Sequence, residues 1–397
     1  MSSAIETKLS QLDVDKSDWM PVKFGDITFE PKETAKDALK EGIEHVVGLE
    51  HIQTGDIHLR NSNGIEKSTT FTKKFSPNDL LFGRRRAYLK KAAQAQFTGI
   101  CSGDIIVMRA KDDLMPELLP FIVNNDKFID WAIQHSAGGL SPRCKFKDLA
   151  NYEFLLPPKA QQAEIAELLW ALDEVVEKEL DLLETLKRSL KALIEESVPK
   201  NFDEFLNLGE LISIRRGLTY ASSDYSDKEN GIPLLNLKSV EKGGGFNKEG
   251  IKYYKGAYNE SHFAKNSDLL VACTDLTRLG NVVGYPLHPS IYQDQEILFT
   301  LDLVAIEIKN NRLLRDYLYY ALKSQWIHWK LFANSPGTTV LHLNLEGMLR
   351  LKIPKLSIES QEIAIRKLKE IDKNILSVEK KLGISKSLQK SIINKVF

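Results

Sequence analysis

The sequence has few cysteines and no long apolar run. Cys101, Cys144 and Cys273 are odd in number and widely spaced, so they predict neither a disulfide framework nor a metal site and agree with a reducing compartment. No apolar stretch is long enough to span a membrane, and none follows a basic N-terminus as in a secretory signal. We therefore expect a cytoplasmic protein that begins with a polar leader over residues 1–17.

Catalytic and cofactor motifs are also missing. There is no GxxxxGK[ST] loop for a nucleotide, no HExxH or paired CxxC for zinc, no GxSxG elbow and no Asn-Pro-Pro-aromatic motif of amino-methyltransferases. One alternative stays open, because Glu307 and Lys309 on a predicted strand, with Asp294 upstream, have the spacing of a metal-dependent nuclease site. The corresponding strand of the first half lacks this pair, so a solvated strand edge is the simpler interpretation. We expect a chain with no catalytic residue and no cofactor or metal of its own.

Positive and negative charges balance overall but not locally. The sequence has 54 lysines and arginines and 54 acidic residues, which would by itself argue against a nucleic-acid partner. Residues 67–111, however, contain ten basic residues and only two acidic ones, Asp79 and Asp104. A local surplus of this size can bind phosphates whatever the sum over the whole chain is.

A long amphipathic segment dominates the middle of the chain, from Gln161 to Ser197. Its apolar residues alternate at spacings of three and four, with Glu179 as the only interruption, and no proline or glycine breaks it. A helix of this length would extend roughly 55 Å, which is too long for an ordinary core helix. The spacing therefore predicts one of two paired helices.

A second segment of the same kind runs from about Glu359 to Val396, with a predicted phase shift at Gly383. Both segments follow a hydrophobic-proline strand end and carry an Ile-Ala pair, Ile165-Ala166 in the first and Ile363-Ala364 in the second. These pairs lie 198 residues apart in a chain of 397, so the sequence predicts two halves of one pattern.

Charge indicates which helices pair. Residues 157–198 contain ten acidic and five basic residues, and residues 354–397 contain five acidic and ten basic ones. Each helix would repel its own copy, so the two should pair with each other within one chain. An antiparallel arrangement would give a tandem repeat a pseudo-two-fold axis.

The globular parts flank these helices. We predict an α+β protein with two similar domains over residues 18–156 and 200–353, joined by two long helices over 157–199 and 354–397 that form an antiparallel coiled coil. Within the domains, a helix over 116–136 in the first half answers one over 311–333 in the second. Scaffold positions match between the halves and loop positions do not, so one fold carries two different recognition surfaces.

The candidate binding residues carry groups that suit DNA: planar guanidiniums for guanine edges, ammonium groups for phosphates, and hydroxyls or aromatic rings. Because three consecutive arginines on a strand cannot all face one way, we expect one or two of them to be structural or to bind phosphates. The candidates in the first half are Arg84, Arg85, Arg86, Tyr88, Lys90, Lys91, Ser141, Arg143 and Lys145. Those in the second half are Arg215, Arg216, Thr219, Lys252, Tyr253, Thr274, Thr277, Arg278, Asn281, Thr338 and Thr339.

The stretches GLEHIQTGDI, GRRRAYLKK, CSGDIIV, SAGGLSPR and YEFLLPPKAQQAEIAELLWALDE, with the matching second helix, resemble the specificity subunit of type I restriction-modification systems. The resemblance covers almost the whole chain. It implies two target-recognition domains that each read one half of a bipartite double-stranded DNA site, with the helices setting the spacer. It also implies catalysis in partners: two methyltransferase subunits that use S-adenosylmethionine, and restriction subunits that use ATP and Mg²⁺.

A protein–protein adaptor is the alternative interpretation. A coiled coil could join two protein-binding domains without any contact to DNA. The basic stretch over residues 84–91 argues against it, and a steep salt dependence of DNA binding would exclude it.

Overall fold

The structure is a computed structural model that describes residues 15–66, 70–288 and 296–397. It divides the chain into two compact units: the first comprises Met1–Asp181 and Lys380–Phe397, and the second comprises Leu182–Glu379. Most of the predicted leader lies outside the described residues. Within the described part of the chain, no helix combines the length and the apolar character needed to cross a membrane.

The first unit contains ten short strands in its described residues. They are β1 Met20–Lys23, β2 Thr28–Phe29, β3 His45–Val47, β4 Asn63–Gly64, β5 Lys73–Phe75, β6 Leu80–Gly83, β7 Ala92–Gln94, β8 Gly99–Cys101, β9 Ile105–Ala110 and β10 Glu153–Leu156. The helices of this half of the chain are α1 Phe24–Ile27, α2 Leu119–Val123, α3 Asp126–Gln134, α4 Phe146–Leu149 and the long α5 Lys159–Ser197.

The remaining elements follow α5. The strands are β11 Phe205–Asn207, β12 Ile212–Arg216, β13 Tyr225–Ser226, β14 Ile232–Leu235, β15 Lys252–Tyr254, β16 Leu269–Ala272, β17 Thr274–Asp275, β18 Pro286–Leu287, β19 Leu298–Phe299, β20 Leu303–Ile308, β21 Leu341–His342 and β22 Lys352–Pro354. The helices are α6 Leu208–Leu211, α7 Arg315–Lys323, α8 Gln325–Ala333, α9 Leu345–Leu349 and the long α10 Ile358–Val396.

The two units share one sheet plan, except at the edges of one sheet. The first has four-stranded sheets in the orders β2-β9-β6-β7 and β4-β3-β8-β5, and the second has β12-β20-β16-β18 and β13-β15-β14-β19. In each unit the strand that precedes the long helix pairs antiparallel with an early strand, β10 with β1 and β22 with β11. The α+β class and the internal repeat predicted from the sequence are confirmed.

The long helices enter the core of each unit. In the first, Leu169 of α5 and Ile392 of α10 pack in one cluster with Phe24, Phe82 and Phe128. In the second, Ile194 of α5 and Leu368 of α10 join the cluster around Tyr317. Since α10 contributes its last residues to the first unit and its first residues to the second, while α5 does the reverse, the two helices pair antiparallel within each unit.

The predicted phase shift at Gly383 is wrong, because α10 passes through this glycine as a continuous helix. Ser385 is buried at the next seam position, and Gln389, one turn further on, donates a hydrogen bond to Asp173 Oδ1 at 3.0 Å. The seam therefore continues with polar members. When only apolar residues are counted, these polar seam positions look like a change of phase in the pattern.

A buried glutamine attaches the start of α5 to the first unit. The Gln162 Nε2 atom donates to the carbonyls of Asp113 and Pro157, both at 3.0 Å, and its Oε1 accepts from the Met115 backbone N–H at 2.9 Å. All the side chain's contacts are to backbone groups that burial would otherwise leave without partners.

Gln361 does the same in the second unit. Its Nε2 donates to the carbonyls of Arg312 at 2.9 Å and Leu356 at 3.1 Å, and its Oε1 accepts from Leu314 N–H at 2.8 Å. Every residue of this set lies 199 positions after its counterpart in the first unit. The Ile-Ala pairs, 198 positions apart, are thus one residue out of register with the structural repeat.

The two long helices predicted inside the domains are each interrupted. In the first unit the helix is interrupted at Asn125. The Asn125 side chain accepts a hydrogen bond from Lys127 N–H at 2.8 Å and caps α3. In the second, Ser324 separates α7 from α8 in nearly the same backbone conformation, with ψ of 142° against 140° at Asn125. Asn125 also donates to the Ile393 carbonyl of α10. The break is therefore a repeated feature that sequence periodicity alone does not reveal.

A polar cluster ties a loop of the first unit to both of its long-helix segments. His58 Nε2 lies 2.7 Å from Asp173 Oδ2, and Gln389 binds the other oxygen of the same carboxylate. Arg60 forms two hydrogen bonds to Glu177, one turn further along α5. The hydrogen bond to Asp173 outweighs burial and raises the pKa of His58 above its ordinary value.

The set of three hydrogen bonds that each buried glutamine makes, which we call the glutamine clamp, gives a test of stability. Gln361→Ala removes three hydrogen bonds and leaves part-buried backbone groups unpaired, so we expect the free energy of unfolding to fall by about 2–4 kcal/mol. Glu362→Ala, at the neighbouring exposed position, is the matched control and should change it by less than about 0.5 kcal/mol. Urea unfolding measures both; equal stabilities of the two variants would contradict the clamp.

His58 gives a test of pH dependence. Because its pKa is raised in the folded state, its stabilising contribution is complete below the ordinary value of 6.5 and is lost as the pH rises through the folded-state pKa. We expect the free energy of unfolding to fall across this window by on the order of 1 kcal/mol. His58→Gln keeps a hydrogen-bond donor without the titration, so its unfolding curves should lack this component. If His58→Gln keeps the full pH dependence of stability, that dependence comes from another titrating group.

Candidate nucleic-acid interface

The arginine run of the first unit begins where a buried strand leaves its sheet. Strand β6 lies between β7 and β9, and the chain departs after Gly83 into Arg84, Arg85 and Arg86. Arg86 and Lys90 both adopt the left-handed conformation, with φ of 55° and 50°. Each costs about 1 kcal/mol or more for a residue with a side chain, so the surrounding contacts must impose this turn.

The three arginines have different partners. Arg84 Nε donates to the Cys144 carbonyl at 3.0 Å, which fixes it against the protein. Arg85 Nη2 donates to Ser141 Oγ at 3.2 Å, and Arg86 is exposed. Arg84 is therefore engaged within its own unit.

The second basic stretch closes on the first. Ala137 and Arg143 exchange backbone hydrogen bonds of 3.0 and 2.9 Å, which encloses a loop that contains Gly138 at φ 119°. Arg86 N–H donates to the Pro142 carbonyl at 2.8 Å, and Arg85 forms a backbone bridge with Arg143. Residues 84–91 and 137–145, which are far apart in the sequence, form one surface that we call the first loop pair.

Asp104 lies at the centre of the first loop pair. Its Oδ1 accepts from Arg143 Nε at 2.8 Å, and its Oδ2 lies 3.6 Å from Arg85 Nη1. The Arg143 guanidinium, with Arg85 and Arg84 near it, holds the pKa of this carboxyl below its ordinary value. In the sequence, Asp104 is marked only as one of two acidic residues in a basic stretch. No other sequence signal pointed to its role.

The other candidates of the first half have partners of their own or are exposed. Lys90 Nζ binds Asp126 Oδ1 at 2.9 Å and Lys91 Nζ binds the Leu49 carbonyl at 2.6 Å, so both ammonium groups have protein partners. The Tyr88 ring is 52% exposed. Lys145 is exposed just before α4.

The second unit brings the equivalent segments together. Strand β17 pairs with β21, with Thr274 opposite His342 and Asp275 opposite Leu341. Residues 274–282 and 336–342, which include Thr338 and Thr339, form what we call the second loop pair. Thr338 and Thr339 are exposed.

An aspartate occupies the same structural position in both units. The Arg84 N–H donates to the Asp104 carbonyl at 3.0 Å, and the Cys273 N–H donates to the Asp302 carbonyl at 2.7 Å. The Asp302 side chain accepts from Thr274 Oγ1 at 3.0 Å, where that of Asp104 accepts from arginine. Only the repeat could have pointed to Asp302, since no charge run marks it.

Asp275 organises the tip of the second loop pair. This buried carboxylate accepts from Val282 N–H, Thr277 N–H and Thr277 Oγ1, each at 2.8 Å. Burial alone would raise the pKa of Asp275, but these hydrogen bonds outweigh it and the pKa lies below its ordinary value. Asn281 donates to Thr277 Oγ1 at 3.2 Å, and Arg278 is exposed.

The remaining second-half candidates lie on other strands. Arg215 donates to the Phe263 carbonyl at 2.9 Å and to the buried Asp268 carboxylate, so much of its guanidinium is engaged inside its own unit. Arg216 ends β12 and Thr219 follows it, and both are exposed. On β15, Lys252 Nζ lies 4.4 Å from the Tyr225 ring centroid, and Tyr253 is half-buried.

The nuclease alternative gains little from the geometry. Glu307 lies on β20 opposite Ser213 of β12, one residue beyond the last pair with β16, and it is exposed. Its Oε1 is 3.6 Å from Lys265 Nζ. Asp294 lies outside the described residues. Over the described ranges, no group of three or more His, Cys, Asp or Glu side chains is placed to hold a metal ion.

The repeated fold and its two loop pairs define a class of protein in which one scaffold occurs twice and presents two different polar surfaces. The model of the type I restriction modification DNA specificity domain matches residues 16–188 and again residues 199–386. The chain therefore belongs to this family, the specificity subunits of type I restriction-modification systems.

Relatives and solved structures agree with this assignment. The MjaVIII specificity subunit of Methanocaldococcus jannaschii is 23% identical over 308 residues, which cover 71% of this chain and 69% of that protein. The S subunit from M. genitalium gives a TM-score of 0.58 at 16% identity and 98% coverage of both chains. A chain in a structure on complex assembly of the type I R-M system gives 0.58 at 20% identity, covering 96% of this chain and 97% of that one. At these identities the two structures show the fold alone.

Proposed function

We propose that this subunit reads a split DNA sequence, with residues 18–156 reading one half-site and residues 200–353 the other. The repeated pairing of two segments around an equivalent aspartate, Asp104 or Asp302, is the observation that carries the proposal. Because the scaffold is kept while the loop side chains differ, the two half-sites should differ in sequence.

The first loop pair suits a site rich in guanine and phosphate acceptors. Arg85, Arg86 and Arg143 offer guanidiniums, and Arg86 and Arg143 are exposed. Asp104 already orients Arg85 and Arg143 in the free protein. These two side chains therefore lose little conformational freedom when they bind DNA. Lys145 and Tyr88 extend the surface toward phosphates or sugars. Since Arg84 is held by Cys144, we assign it a positioning role.

The second loop pair suits reading by hydroxyl and amide groups. Thr277, Asn281, Thr338 and Thr339 offer both donors and acceptors, and Arg278 adds one guanidinium. Thr274, bound to Asp302, is better placed to hold the loop than to contact a base. Further contacts are proposed for Arg216, Thr219, Lys252 and Tyr253, and a positioning role for Arg215.

Catalysis is assigned to partner subunits. We infer that two methyltransferase subunits with S-adenosylmethionine, and restriction subunits with ATP and Mg²⁺, bind this chain. Family membership supports this assignment. Their attachment would include the exposed faces of the long helices, whose buried faces pack in the cores.

The proposed function is tested by mapping methylated adenines across the genome of the source strain with and without this gene. Loss of one split motif, two unlike short sequences around a fixed gap, is expected when the gene is removed. If the map does not change, the purified complex decides. Absence of salt-dependent DNA binding would contradict the proposal and favour the protein–protein adaptor.

Arg86 is tested by two substitutions. Arg86→Ala should weaken discrimination within one half-site by about 1–3 kcal/mol if its contact is bidentate. Arg86→Lys keeps the charge but not the planar fork, so it should lose discrimination almost as fully while losing less affinity. Competition binding against singly substituted duplexes measures both. Unchanged affinity and unchanged site preference in Arg86→Ala would contradict the assignment.

The length of the helices is proposed to set the spacer. Inserting seven residues in each long helix, between Asp181 and Leu182 and between Glu379 and Lys380, keeps the heptad register and adds about 10 Å. The methylated motif should then gain roughly three base pairs of spacer and keep both half-site sequences. A motif with the original spacing would contradict this role of the helices.

A further inference from the structure

An exposed leucine lies at the tip of the first loop pair. The Leu140 side chain is 96% exposed, within the loop that the Ala137–Arg143 backbone pair closes. Single exposed apolar residues are common on protein surfaces, so exposure alone says little. The way in which this loop is held gives the leucine its significance.

The loop around Leu140 is fixed at successive residues. Arg86 Nη2 donates to the Leu140 carbonyl at 3.4 Å, Arg85 Nη2 to Ser141 Oγ at 3.2 Å, and Arg86 N–H to the Pro142 carbonyl at 2.8 Å. Arg143 is held in turn by Asp104. The segment from Leu140 to Arg143 is thus held at each residue, by Arg85, Arg86 or Asp104.

Such surroundings favour one kind of partner. A purely apolar protein surface would bury the guanidiniums of Arg85, Arg86 and Arg143 without acceptors, which is costly. DNA offers phosphate oxygens and guanine acceptors to the cations, and the major groove also offers one apolar group, the 5-methyl of thymine. If the arginines read guanine edges there, Leu140 reaches the same groove.

The second unit repeats the combination in a different sequence. Leu276 and Leu279, which are 70% and 79% exposed, flank Thr277 and Arg278 in the second loop pair. Apolar side chains thus stand beside a guanidinium and a hydroxyl in both units. The recurrence argues against a chance exposure of Leu140.

We propose that Leu140 is a specificity-determining residue that contacts the 5-methyl group of a thymine in the half-site read by the first unit. The inference rests on the proposed function and deepens it, since it requires a T·A pair in that half-site next to the bases contacted by arginine. The contact is a matter of packing, and no bond is made or broken.

The test uses the complete complex of this chain with its methyltransferase subunits and a duplex that carries the mapped motif. Each thymine of the half-site is replaced in turn by deoxyuridine, which removes the methyl group and keeps the base pair. One position should weaken binding about fourfold, the value for one buried methyl group. Leu140→Ala should bind the thymine duplex more weakly and lose this sensitivity. Leu39→Ala, which removes a 70% exposed leucine outside the loop pairs, should keep both.

Several outcomes would overturn the inference while leaving the proposed function intact. They are a half-site without a T·A pair, equal binding of thymine and deoxyuridine at every position, and a Leu140→Ala variant that keeps the sensitivity. Unstacking at a base step, reported by 2-aminopurine fluorescence and dependent on Leu140 without any methyl effect, would replace the methyl contact with a wedge. Absence of any split motif would instead overturn the proposed function, and this inference with it.

Discussion

One buried amide recurs where each long helix joins its globular unit, in addition to the apolar residues that the helices place in the cores. Gln162 and Gln361 each bind two carbonyls and one N–H of the backbone, and each does so at the first turn of a long helix. A flexible or water-mediated attachment would let the helix swing relative to its own domain. With three direct hydrogen bonds in a buried place, the direction of the helix is fixed by the fold of that domain.

The reading surfaces depend in a similar way on a shared position with different partners. Asp104 and Asp302 occupy the same turn, and each accepts from the loop that faces it. The partner is arginine in one unit and threonine in the other, which changes the surface from cationic to nearly neutral. A duplicated scaffold can thus acquire a second specificity by exchanging the loop side chains while the anchoring carboxylate stays.

Sequence reasoning reached the architecture because length, periodicity and repetition are properties of long segments. The helices α5 and α10, their antiparallel pairing and the matching sheets follow from such patterns. It failed where a single polar side chain decides. Asn125 and Ser324 interrupt helices whose apolar period continues, and Ser385 and Gln389 occupy seam positions that a hydrophobic pattern leaves blank.

For the candidate site, too, the sequence indicated segments but not the contacts between them. Composition identified the basic segments, but it could not show that residues 84–91 and 137–145 meet, since this depends on tertiary pairing. Nor could it separate Arg215, whose guanidinium binds Asp268 within the unit, from an arginine such as Arg86 that faces solvent. Charge alone does not tell an internal ion pair from a recognition residue.

The central claim is that each unit reads its own half-site through its own loop pair. It is tested most directly by mapping the methylated motif in two strains, one carrying Arg143→Ala in the first unit and the other Arg278→Ala in the second. The account predicts that each variant relaxes a different half of the motif and leaves the spacer unchanged. Relaxation of the same half by both variants, or of both halves by either one, would contradict it.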